Sequence, residues 1–316
     1  MDFAGKVVII TGGSRGLGFL MAQEFGKRGA KVAICGRTLS ALEEAEGKLR
    51  QRGIDVLTRV ADLGDKEQAA SFVEQVIMTW GRIDVLVNDA GVIQVGPLAS
   101  ITHESLEEVM RSNFWSAANM TLSALPHLRV RAPMARIVNI VSFGGRVAVP
   151  HLLSYSASKF ALMGLSEGLR AELSREGIPV TSVIPIPMRT GSIYNASFSG
   201  NTREEFAWFG LSASLPLISA SAERAARQVV RAAADGDAEV YVGLPTRALS
   251  ILHGVAPQLV MGLMGLLNRA LPSAAGTAGK SVRGRDVHSE LERSPALHLS
   301  NVAARQNNEA PPADAR

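Results

Sequence analysis

Residues 7–18, Val7-Val8-Ile9-Ile10-Thr11-Gly12-Gly13-Ser14-Arg15-Gly16-Leu17-Gly18, pass from a short apolar run into a glycine-rich turn, and Phe19, Leu20, Ala22, Gln23 and Phe25 follow with helical spacing. A glycine turn between a strand and a helix opens backbone N–H groups toward a pyrophosphate at the positive end of the helix. Glycine serves such a turn by reaching positive φ, letting the phosphate approach and packing the helix closely on the sheet. The position at the start of a strand–helix–strand unit makes Gly12, Ser14, Arg15, Gly16, Leu17 and Gly18 the expected seat of a dinucleotide.

Working outward, β-branched runs alternate with longer amphipathic segments from Lys6 to about Leu244, the pattern of a parallel sheet with crossover helices. Strands are expected at Val7 to Thr11, Lys31 to Cys35, Asp55 to Val60, Ile83 to Asn88, Arg136 to Val141, Val180 to Ile184 and Glu239 to Val242. Helices fit between them: Ala41, Leu42, Ala45 and Leu49 make an apolar stripe over Leu39 to Gln51, and Ala69, Phe72, Val73 and Val76 make one over Lys66 to Trp80. Another is expected near Ala222 to Ala234. The fold class is therefore α/β, a Rossmann-type doubly wound parallel sheet of seven strands with helices on both faces, binding ligands at the carboxyl ends of its strands. The catalytic domain would run over 1–245. An apolar helical extension, 246–272, follows, divided by Pro257. Its second part is shorter than the roughly 20 apolar residues a spanning helix needs, so a buried or interfacial helix is expected there. Residues 273–316, rich in Ala, Ser, Asn, Arg and Pro, read as a flexible or surface-wrapping tail.

The second strand ends Ile34-Cys35-Gly36-Arg37-Thr38, where an acidic side chain would accept hydrogen bonds from the adenine ribose of NAD. None is present. Arg37 instead supplies a guanidinium suited to a 2′-phosphate, with Arg15 as a second cation and Thr38 as a hydroxyl donor, so NADP(H) is favoured over NAD(H). Asp62 and Leu63, after the third strand, would border the adenine. Asn88, Asp89, Ala90 and Gly91 close the fourth strand at the crevice where strand order reverses.

Composition narrows the function class. With 47% hydrophobic and 20% charged residues in 316, the chain can bury a full core. A net charge of +4 with scattered Lys and Arg does not indicate a nucleic-acid surface. The single cysteine, Cys35, sits in an apolar run and suits a reducing compartment, and no metal cluster is legible. No basic segment followed by a long apolar stretch opens the chain, so a cytoplasmic location is the expectation.

Tyr155 and Lys159 stand four apart in Ser154-Tyr155-Ser156-Ala157-Ser158-Lys159, one helical turn, so phenol and ammonium share a face. A phenol has a pKa of about 10, and a neighbouring cation lowers it by stabilising the phenolate. Such a pair could furnish the proton that carbonyl reduction needs.

Taken in order, the glycine turn at Thr11 to Gly18, Asn88-Asp89-Ala90-Gly91, Asn113, Ser142 and Tyr155-Ser156-Ala157-Ser158-Lys159 resemble the short-chain dehydrogenase/reductase family, with 13 positions from Ser142 to Tyr155 as that family has them. The resemblance covers Lys6 to about Val242. It implies that Tyr155 exchanges a proton with the substrate oxygen while nicotinamide exchanges hydride with the carbon. Lys159 would hold the nicotinamide ribose and depress the Tyr155 pKa, Ser142 would hydrogen-bond the reacting oxygen, and Asn113 would hold a relay water. Pro185 and Thr190, in Ile184-Pro185-Ile186-Pro187-Met188-Arg189-Thr190, match the family's segment at the nicotinamide carboxamide. Ile186 stands where that segment has glycine, and with Pro187 it is expected to alter the path and narrow the site. Asp89 replaces the common second Asn.

The expected activity is interconversion of a ketone and a secondary alcohol, with a small-molecule carbonyl or alcohol as partner. Three loops supply the substrate wall: Gln94-Val95, Phe143 to Leu153, and Gly191 to Leu217, the last with Ile193, Tyr194, Phe198, Phe206, Trp208 and Phe209. These point to an apolar substrate, with Arg146, His151 and Arg189 facing solvent. A homodimer or homotetramer is what the family implies. Two alternatives stay open: a catalytically silent dinucleotide-binding sensor or scaffold, and a membrane-associated enzyme acting on a lipid-like substrate, in contact with the membrane through 248–271.

Overall fold

The computed structural model describes residues 1–215, 219–273, 281–287 and 297–309; the expectations for Leu217 and for the rest of the tail lie outside the described residues. Seven strands form the central sheet: β1 (Val7–Thr11), β2 (Lys31–Gly36), β3 (Val56–Val60), β4 (Val85–Asn88), β5 (Arg136–Ile140), β6 (Val180–Pro185) and β7 (Glu239–Val242). They lie in the order β3-β2-β1-β4-β5-β6-β7, every neighbouring pair parallel. The order reverses between β1 and β4, and the crevice this opens is the ligand position of doubly wound sheets.

Parallel strands covered on both faces are apolar over most of their length, and β1 is buried at all five positions. Val8 and Ile10 face one core with Phe19, Met21 and Phe25 of helix α1 (Gly16–Lys27), Leu42 and Leu49 of α2 (Leu39–Arg50), and residues of the helix Ala222–Asp235. Val7 and Ile9 face the other, with Phe72 and Val76 of α3 (Lys66–Trp80) and Met120, Ala124 and Leu128 of the helix Ser116–Val130. Helix α3 is set at both ends by its own sequence: Asp65 accepts from the backbone N–H groups of Glu67 and Gln68, and Gly81 stops it in the left-handed conformation at φ 71°.

The extension forms two helices, Leu244–Val255 and Pro257–Ala270, broken at Pro257 as its missing N–H dictates. Burial, one of the two expectations for the second, is not observed: within Pro257–Ala270 only Val260 is buried, while Leu259, Met261, Leu263, Leu266 and Leu267 are exposed. Among the described residues no helix is long and apolar enough to cross a membrane.

Candidate active site

The glycine turn runs from the end of β1 into α1. Gly12 and Gly16 take φ of 69° and 57°, and a Cβ at Gly12 would lie 3.0 Å from the Ala90 Cα, so larger residues are excluded by conformation and by space. A Cβ at Gly18 would lie 2.5 Å from the Gly12 carbonyl oxygen. Ser14 and Leu17 are buried in this turn, and Thr11 secures its far wall by accepting from the backbone N–H groups of Asp89 and Ala90, both at 2.9 Å. Arg37 and Thr38 are exposed where β2 leaves the sheet. Asp62 pairs with Arg111 at 2.5 Å, and the Leu63 carbonyl accepts from Asn119. Asn88 is buried and donates to Thr121 and Asn139, tying β4 to β5 below Gly91.

Tyr155 and Lys159 lie on the helix Leu153–Leu173, and Ser142 ends the connection from β5, accepting from the Gly144 N–H at 3.1 Å. Lys159 is 5% exposed; its Nζ donates to the Ile140 carbonyl at 2.9 Å and stands 5.8 Å from the centroid of the Tyr155 ring. Burial pulls the Lys159 pKa down to about 8, against the charge of Asp89. The expected depression of the Tyr155 pKa is not found. Burial pushes that phenol up to about 12, a hydrogen bond from Ser142 opposes the rise, and the Asp89 charge adds to it. Four-residue spacing fixes which face two groups share, but burial decides the phenol's pKa, and the Lys159 ammonium is bonded to the Ile140 carbonyl.

Asn113 sits in a single π-helical turn, Arg111–Trp115, between the helices His103–Met110 and Ser116–Val130. Its Oδ1 accepts from the Val92 N–H at 2.7 Å, while its Nδ2 donates to the Val92 carbonyl and to Ser158. The side chain thus clamps the backbone beyond Gly91 to the Tyr155 helix. Pro185 ends β6, and Thr190 is buried, accepting from the Ser192 N–H at 3.0 Å. Ile186, expected to narrow the site, turns back against the sheet instead: it is 8% exposed, and its Cδ1 stands 2.3 Å from where a Cβ on Gly243 would be. Gly243, at φ 103°, makes that room.

Opposite Tyr155 lies an apolar cluster of Val95, Leu152, Ile193, Tyr194, Phe198, Phe206 and Phe209, with Trp208 packed beside it. The wall is held by an interaction the sequence did not disclose. Glu205 is fully buried, its carboxylate facing His151 Nδ1 at 2.7 Å and accepting from the Trp208 indole at 2.6 Å. His151 therefore faces inward, with φ 60°, correcting its expected solvent position; Arg146 pairs with Glu167 and Glu239, and Arg189 donates to Ser219. A Glu among aromatics at helical spacing gives no sign of burial, because its partner is 54 residues away.

The tail, expected to be flexible or to wrap the surface, lies across the cleft at its described end, 297–309. The Gly16 N–H donates to the Asn307 carbonyl at 2.8 Å, and Glu309 pairs with Arg15 at 3.5 Å. A stretch with three Asn, a Gln, an Arg and a Glu in its last nine residues, 301–309, looks solvated in composition, and only the cleft's shape gives it a seat.

A model of the short-chain dehydrogenase family matches residues 6–197, and the chain belongs to that family of oxidoreductases. It is 30% identical over 259 residues to an uncharacterized oxidoreductase, YxnA, of Bacillus subtilis, covering 82% of this chain and 71% of the relative. It is 32% identical over 261 residues to 11-beta-hydroxysteroid dehydrogenase-like 2 of Arabidopsis thaliana, covering 82% and 80%. A solved short-chain dehydrogenase/reductase from Burkholderia phymatum, in complex with NAD, superimposes with a TM-score of 0.73 over 82% of this chain and 96% of that one, at 22% identity, which speaks for the fold.

Proposed function

We propose that the chain is an NADP(H)-dependent oxidoreductase interconverting a ketone and a secondary alcohol on an apolar substrate. The observation that carries this reading is the convergence of Ser142, Tyr155 and buried Lys159 at the carboxyl end of β5, across the cleft from the glycine turn. The residues fit a dinucleotide: a turn whose Gly12 and Gly18 leave no room for a Cβ, a helix N-terminus at its end, and cations at Arg15 and Arg37. Gly12, Ser14, Gly16, Leu17 and Gly18 would hold the pyrophosphate, Arg37, Arg15 and Thr38 the 2′-phosphate, Asp62 and Leu63 the adenine edge, and Asn88, Ala90, Gly91, Pro185 and Thr190 the nicotinamide half. When bound, the cofactor supplies hydride to the carbonyl carbon. Tyr155 gives its proton to the oxygen; with a pKa raised to about 12 it stays protonated at neutral pH and serves as the acid of the reductive direction. Ser142 donates to the same oxygen as negative charge develops there. Lys159 holds positive charge beneath the phenol, and Asn113 fixes the backbone that carries Gly91. The phenol argues against a silent binder, which needs no proton donor.

The apolar cluster supports an apolar substrate, since an unpaired charge placed there would lose its hydration. Consumption of NADPH, but not NADH, with a panel of hydrophobic ketones tests the reading. Turnover with small charged ketones alone would overturn its substrate class. The exposed leucines of Pro257–Ala270 favour a second reading, a membrane-associated enzyme taking a lipid-like substrate. Flotation with liposomes, lost when Leu259, Leu263 and Leu266 become Ser, would support it.

A further inference from the structure

Residues 297–309 touch both walls of the cleft at once. On the nucleotide side, Asn307 takes the Gly16 N–H, Asn308 Nδ2 donates to the Ser14 carbonyl at 3.3 Å, and Lys48 donates to Asn308 Oδ1. On the opposite side, Asn307 Nδ2 reaches the Thr190 carbonyl at 3.4 Å, and Asn195 donates to the Glu309 carboxylate. Ala304 lies over Gly191, where an added Cβ would come within 2.4 Å of it, so this glycine lets the helix His298–Gln306 settle against the nicotinamide wall. Leu297 and Ala304 join the apolar cluster, and Ser300 bonds Ser214 at 2.7 Å.

The chemistry of Glu309 is specific to the place. The residue is 6% exposed, and its carboxylate lies 2.5 Å from where a Cβ on Gly16 would be and is paired with Arg15. An anion there, at the N-terminus of α1 and against a guanidinium, has the surroundings a phosphate would have. We propose that the tail segment 298–309 is an intramolecular ligand of the dinucleotide site, with Glu309 in the phosphate seat, so that tail and cofactor exclude one another and the enzyme is held closed until cofactor displaces it. This rests on the dinucleotide reading of the cleft.

Exclusion lowers apparent cofactor affinity by the fraction of molecules whose cleft is open. A tail closed in about nine molecules of ten weakens binding about tenfold. The test uses the full chain in three forms: unaltered, Glu309→Ala, which removes the anion, and Ala304→Leu, which cannot seat against Gly191 and lies clear of the cofactor once displaced. NADPH affinity is read by fluorescence titration, and amide exchange follows Asn307 and Glu309, whose N–H groups are bonded to Ala303 and Ala304. The expected result is about tenfold tighter NADPH binding in both variants, with protection of 307–309 in the unaltered chain lost on adding NADPH. Unchanged affinities, with protection persisting at saturating NADPH, would overturn the plug and leave the cofactor reading standing. Failure of all three forms to bind NADPH or NADH would overturn both.

Discussion

Asp89 stands where the family motif commonly has a second Asn, and Asp89→Asn tests how the cleft is charged. The carboxyl is partly buried beside Gly18, and burial raises its pKa from 3.8 to about 7 against the attraction of Lys159. A carboxyl whose folded pKa is raised binds protons more tightly in the folded chain than in the unfolded one. Its contribution to stability is therefore full below pH 3.8 and is lost as pH rises through about 7. Three pKa units at about 1.4 kcal/mol each set an upper bound of about 4 kcal/mol. Partial exposure and the lost attraction to Lys159 reduce the expected gain in Asp89→Asn to about 2 kcal/mol at pH 7.5. Asn can still accept from the Gly18 N–H, so the geometry of the turn survives. Thermal unfolding of both chains between pH 4.5 and 7.5 should give nearly equal midpoints at the acid end and a variant higher by about 4 °C or more at pH 7.5. Lys159, with a pKa of about 8, titrates above most of that window. A midpoint difference that stays flat with pH would refute the reasoning.

Arg37→Glu should raise the Kd for NADPH by about tenfold or more while leaving NADH binding little changed, as titration of each would show. Gly243→Val forces a β-branched residue to φ 103° against Ile186 and should cost about 3 kcal/mol or more in urea unfolding. Glu205→Leu strands His151 and the Trp208 indole beside the apolar cluster; it should destabilise the fold by about 2 kcal/mol and shift Trp208 fluorescence.

The sheet was legible because parallel strands covered on both faces leave largely apolar runs, as at residues 7–10 and 85–87, and because helix periodicity marked Lys66–Trp80 to the residue. The site motifs were legible because chemistry fixes their spacing along single elements, as with Tyr155 and Lys159 on one helix. What stayed hidden depends on distance across the fold. The phenol's pKa follows from burial, which spacing does not encode. The Glu205–His151 contact joins two loops, the retreat of Ile186 depends on a glycine 57 positions later, and the seat of Glu309 exists only once the cleft is built.

In the proposed reaction Tyr155 delivers a proton to a carbonyl oxygen as hydride reaches its carbon. Single-turnover reaction of NADPH deuterated at the transferable position with a hydrophobic ketone, followed by mass spectrometry of the product, tests it directly. One deuterium is expected on the carbinol carbon with the unaltered chain, and a rate lower by about a hundredfold or more in Tyr155→Phe with NADPH affinity nearly unchanged. Deuterium transfer at the same rate in Tyr155→Phe would contradict it.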